Sequence, residues 1–131
     1  MARQAPGQID RRRDEVCRQL DHLVDRGRLR GRDVYFFGAT LDFHWYVEHL
    51  RSRGVPVEAV IDNAPYKHGR SYDGILVLGP DALREAHDPV ILITSPPYAY
   101  EMAEQLSAMG FVAGRDHFIV TGSHDPPEPA A

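Results

Sequence analysis

The 131-residue chain has one cysteine, one tryptophan and no apolar run near the roughly 20 residues that a membrane-spanning helix requires. A single thiol, Cys17, excludes an internal disulfide and a zinc site built from several cysteines. It sits among apolar helix positions, as a core or groove thiol rather than a nucleophile. The N-terminus is polar and lacks the apolar segment of a secretion signal, so the expectation is a cytoplasmic protein without membrane contact. Charge of one sign is also lacking. The net charge of -4 offers no general electrostatic reason to bind nucleic acid. Arg11-Arg12-Arg13 is answered by Asp10, Asp14 and Glu15 and reads as a solvated helix face. Missing as well are the three glycines of a dinucleotide fingerprint and the nucleophile elbow around a serine. Histidine is plentiful, but His44 and Glu48, one helical turn apart, have no partner motif, and no metal site is expected.

What is present is an alternation of strand and helix signals. Residues 1–8 read as a flexible N-terminus and 122–131, rich in proline, as a disordered tail, leaving a single domain over 9–121. Val16, Leu20, Leu23 and Val24 recur at helical spacing, with Gly27 as the stop. This first helix is expected to pack on the sheet edge or to mediate self-association. Val34–Phe37 is a continuous apolar run, the pattern of a strand buried on both faces. A helix over 41–53 follows, with Thr40 or Asp42 as its cap, then strands over 57–61, 75–78, 90–94 and 118–120. A brief helix over 80–86 and a longer one over 98–109 separate the later strands. Such alternation implies right-handed crossovers and an α/β domain of three α/β/α layers, with about five mainly parallel strands in the order 3-2-1-4-5.

Ligands of such sheets sit beyond the carboxyl ends of the strands, where the crossovers diverge. That rule gathers Gly38-Ala39-Thr40, Asp62-Asn63 and the loop from Ser95 to Tyr98 around one crevice. Gly38-Ala39-Thr40 is a candidate phosphate turn, and equally a plain strand-to-helix turn. Asp62 ends the second strand, where a carboxylate can take two ribose hydroxyls; the alternative is an Asp-Asn turn. Lys67 and Arg70 supply cations for an anionic ligand, and Ser95 and Tyr98 face it from the fourth strand. Phe43, Trp45, Tyr98 and Tyr100 are bulky enough to fill the crevice instead.

The segments FFGAT, VIDNAPYKHGRSYDGILVLGPDAL and ILITSPPYAYEMAEQLSAMGF, within residues 32–120, resemble the small Rossmann-like domain of bacterial sugar and capsule biosynthesis proteins. The loop carrying Asn63, Pro65, Lys67, Gly69, Arg70 and Tyr72 is similar to one in the C-terminal domain of deoxysugar C-methyltransferases, with Ala64 inserted in its Asn-Pro step. The resemblance implies a nucleotide or nucleotide-sugar ligand of unidentified kind in the crevice. No catalytic domain of those enzymes accompanies it, which implies an accessory subunit, partnered by a biosynthetic enzyme or by itself through the first helix. A docking module that binds no ligand is the alternative. Thr94-Ser95-Pro96-Pro97-Tyr98 is also similar to the Pro-Pro-Tyr loop of amino-methyltransferases acting on DNA bases, which implies S-adenosylmethionine. The turn at Gly38 lacks the second glycine of those enzymes, and the acidic charge disfavours DNA.

Overall fold

The computed structural model describes residues 6–40 and 42–122; the segments 1–5 and 123–131, which hold most of the expected flexible N-terminus and tail, lie outside the described residues. The first helix, α1 (Pro6–Asp25), takes in residues expected to be flexible. Proline suits a first helical turn because its φ is already helical and the amide it lacks has no partner there. Past its end, Gly27 adopts φ +71° and its N–H donates to Val24 O, a turn only glycine makes without strain.

The strands are β1 (Val34–Phe37), β2 (Ala59–Ile61), β3 (Ser71–Tyr72), β4 (Ile75–Leu78), β5 (Val90–Ile93) and β6 (His117–Ile119). They form one sheet in the order β3-β4-β2-β1-β5-β6, parallel throughout except for the antiparallel β3–β4 pair. This differs from the expected five strands by β3, an edge strand that adds a sixth position and renumbers the order. Its cause is local. Asp73 (φ 52°) and Gly74 (φ 81°) form a two-residue turn with both φ angles positive, which folds Ser71-Tyr72 back onto Ile75-Leu76.

Helices cover both faces. On one side α1 and α2 (Phe43–Ser52) pack over Val34, Phe36, Val60, Val77, Val90 and Leu92. On the other, α3 (Ala99–Ala108) and Leu83 cover Phe37, Ile61, Ile91 and Ile93. The alternation along β1 and β5 explains why all four residues of each are buried. The segment Pro80–Glu85 is a 3-10 helix rather than an α-helix, as suits six residues between two strands. α1 lies on a sheet face rather than its edge. Its apolar residues Val16, Leu20 and Leu23 are buried in the chain's own core. Among the described residues no helix is long and apolar enough to cross a membrane.

Two polar clusters hold this frame. At the amino ends of the strands, Arg32 donates to the Arg115 and Pro89 carbonyls and pairs with the buried Asp116 at 2.7 Å. Beside it His117 is buried in β6, its Nε2 3.2 Å from Ser107 Oγ. Burial outweighs the Phe111 carbonyl and the Asp116 charge, and holds the imidazole below the ordinary histidine pKa of 6.5. The unfolded chain therefore binds this proton more readily than the folded one. The associated stability is complete above the ordinary value and is lost as pH falls through the folded one. Each unit of depression amounts to about 1.4 kcal/mol. Thermal denaturation between pH about 7 and 5 is expected to show a falling midpoint that flattens in His117→Gln. Parallel curves for both proteins would contradict it.

Candidate functional site

A cleft of about 400 Å³ opens at the carboxyl ends of β1, β2 and β5, roofed on one side by α3. This is within the ordinary range for small-molecule sites, roughly 300–1,000 Å³. Gly38, Ala39, Thr40, Asp62, Asn63, Lys67, Ser95 and Tyr98 all line it. Arg70 does not. It is exposed in the loop leading into β3, which turns its residues away from the cleft. The side chains that α3 contributes, Glu101, Met102 and Gln105, were not singled out from the sequence. Their spacing of one, three and four places them on one helix face, and the positioning of α3 over the strand ends makes that face a wall.

The floor is the turn after β1. Gly38 adopts φ +103°, and a Cβ there would lie 3.1 Å from Ser95 Cβ and 3.7 Å from Met102 Cε. Glycine is thus required both for the backbone conformation and for the close approach of β1 to β5. The amides of this turn are all engaged. Gly38 N–H donates to Ile61 O at 2.7 Å, Ala39 N–H to Asp62 Oδ2 at 2.9 Å, and Thr40 N–H to Gly38 O at 2.9 Å. Residues 38–40 therefore line the cleft but offer no free backbone donor of their own to a phosphate.

Asp62 takes the turn role that the sequence offers as the alternative to ribose binding. Its Oδ2 accepts from Ala39 and its Oδ1 accepts from Ala64 N–H at 2.9 Å, so one carboxylate ties the β1 turn to the β2 turn. Lys67 Nζ stands 3.6 Å from the same Oδ2, and His68 Nε2 lies 2.6 Å from the Asp62 carbonyl. A carboxylate has roughly four acceptor positions. Some capacity remains, but its orientation is set by the two amides. Across the cleft Asn63 and Gln105 pair their carboxamides reciprocally at 2.9 and 3.0 Å, joining the β2 loop to α3.

Ser95 stands apart. It follows β5 by two residues and precedes the 3-10 turn Pro96–Tyr98, is 5% exposed, lines the cleft, and its hydroxyl has no hydrogen-bond partner among the described residues. The hydroxyl of Tyr98 is likewise unpartnered, on an exposed ring at the rim. Among the described residues the buried hydroxyl without a partner is that of Thr94, the neighbour of Ser95 and outside the cleft lining, whereas the Ser95 hydroxyl is open to the cleft. The bulky aromatics leave the cleft open: Phe43 is in the core, edge-on to Tyr72, Trp45 stacks under Arg13 at 3.9 Å, and Tyr100 is exposed.

Behind the cleft lies a network the composition did not disclose. Arg12, expected on a solvated face, donates to Asp42 Oδ2 at 2.6 Å and to the Thr94 and Thr121 carbonyls at 3.2 Å. Asp42 makes no capping bond to α2; it accepts instead from Arg12, Thr40 and Tyr46. Burial raises the Asp42 carboxyl, but the Thr40 hydrogen bond and the Arg12 charge outweigh it and hold it below the usual carboxylate range. Burial and the Asp42 charge push the Tyr46 phenol up to about 12. Cys17, near this network, is raised chiefly by burial, so the thiol is the resting form. Among the described residues no group of histidine, cysteine and carboxylate side chains is placed to hold a metal ion. No protein-family model and no curated protein matches the chain at a significant level.

Proposed function

We propose that this chain is a Rossmann-like, nucleotide- or nucleotide-sugar-binding accessory subunit, acting in sugar or natural-product biosynthesis. The observation that carries the binding is the open cleft at the carboxyl ends of the parallel strands, with the unpartnered Ser95 hydroxyl in its lining. Asp62 and Lys67 flank that hydroxyl's cleft and Tyr98 stands at its rim. Nothing in the lining forms a nucleophile–base pair, which favours a binding role over catalysis.

A thermal-shift screen against UDP- and TDP-sugars, NAD(P), coenzyme A, S-adenosylmethionine and S-adenosylhomocysteine tests the reading. At roughly 100 times its dissociation constant a ligand stabilises the fold by about 2.7 kcal/mol, several degrees for a domain of this size. One nucleotide class is expected to give that shift, and to lose most of it in Ser95→Val. A flat response across the set would leave the docking module as the better reading. The engaged Gly38–Thr40 amides are the feature that favours that second reading.

A further inference from the structure

We infer that the cleft receives the hydroxyl-bearing, uncharged end of its ligand, a ribose or a sugar ring, and leaves any phosphate outside. This rests on the proposed ligand class and narrows it. Phosphate recognition by a sheet of this kind needs free backbone amides, a helix N-terminus or cations. On the β1 and β2 side of the cleft each is already committed, and the first turn of α3 carries the Glu101 carboxylate. The three amides of the β1 turn donate within the chain, one of them to Asp62. The N-terminus of α2 carries the Asp42 carboxylate, itself locked to Arg12. Lys67, the only cation in the lining among the described residues, sits 3.6 Å from Asp62, and Arg70 is elsewhere.

The lining is instead built for hydroxyls. Glu101 adds a second carboxylate and has no partner among the described residues, so two carboxylates face one ammonium. A phosphate placed among them meets repulsion in a partly desolvated site. A vicinal diol meets acceptors, in the Glu101 carboxylate and the free lone pairs of Asp62, and a donor in the unpartnered Ser95 hydroxyl of the lining.

The test is a calorimetric comparison of uridine, thymidine and adenosine with their 5′-diphosphates, on the full chain, at low and moderate salt. The inference expects the best nucleoside to bind within about threefold of its diphosphate, or more tightly. The difference should hardly change with salt. Glu101→Lys should then improve the diphosphate several-fold more than the nucleoside, while Ser95→Ala weakens both by about threefold to tenfold. A diphosphate bound tenfold or more tightly than its nucleoside by the unaltered chain overturns the inference and leaves nucleotide binding standing. Absence of binding by every nucleoside and diphosphate, with the circular dichroism of a folded protein, overturns the functional reading and this inference together.

Discussion

Asp62→Ala is expected to lower the unfolding free energy by about 2–4 kcal/mol, the loss of two charge-assisted hydrogen bonds to backbone amides. The carboxylate is only 13% exposed, and the Ala39 and Ala64 amides have no other acceptor among the described residues. Alanine therefore removes one side chain and orphans donors in two separate turns. Asp62→Asn is the informative companion. Its single carbonyl oxygen can serve one of the two amides, so about half of the loss should return. Urea denaturation of the three proteins measures this through the midpoint at constant m-value. Equal stability of all three would mean that the two turns hold their shape without the carboxylate. A ligand-binding assay on Asp62→Ala alone would mislead, because lost affinity would report a loosened cleft as readily as a lost contact.

Gly38→Ala is the second large effect, expected at about 2–3 kcal/mol. Two causes act together. An L-residue at φ +103° is strained wherever it stands, and the new methyl would come within 3.1 Å of Ser95 Cβ. Relief requires β1 and β5 to separate at the floor of the cleft. Ser95→Gly in the same chain removes the contact but leaves the backbone strain. The double variant is therefore expected to recover part of the loss, less the cost of a second flexible glycine. A thermal midpoint for Gly38→Ala within a degree of the original would show that the turn can reshape at little cost. Gly27 makes the control: its φ is also positive, but a Cβ there meets nothing within 4 Å, so only the backbone contribution remains.

Much of the sheet was legible because its strands are buried on both faces and announce themselves as unbroken apolar runs, Val34–Phe37 and Val90–Ile93 above all. β3 was not, since two exposed residues carry no periodicity. Its signal was the Asp73-Gly74 pair between Tyr72 and Ile75, a hairpin turn hidden inside a loop already assigned to ligand contact. Arg12 was misjudged for a related reason. Charge balance along the chain placed it in water, yet it precedes Val16 and Leu20 at spacings of four, on the apolar stripe of α1. A charged residue on a buried stripe signals a partner across the interface, here Asp42. The site was partly readable in the same way. Strand topology brought Gly38, Asp62 and Ser95 together. The Asp62 bond to Ala64 is the turn its own segment signals, but the bond to Ala39 depends on an amide of another loop, and no local spacing encodes that.

The lacing of the first helix to the end of the last strand also bears on the order of folding. Arg12 reaches Thr121 across 109 positions and Gln19 accepts from the Gly122 amide across 103, among the longest separations the fold has to close. Closing such a span is entropically dear until the intervening sheet has formed. α1 is thus expected to dock last, onto strands already paired. A circular permutant joined between its two ends and reopened at the exposed Gly31 turn would convert these distant contacts into near neighbours and fold faster without a change of architecture.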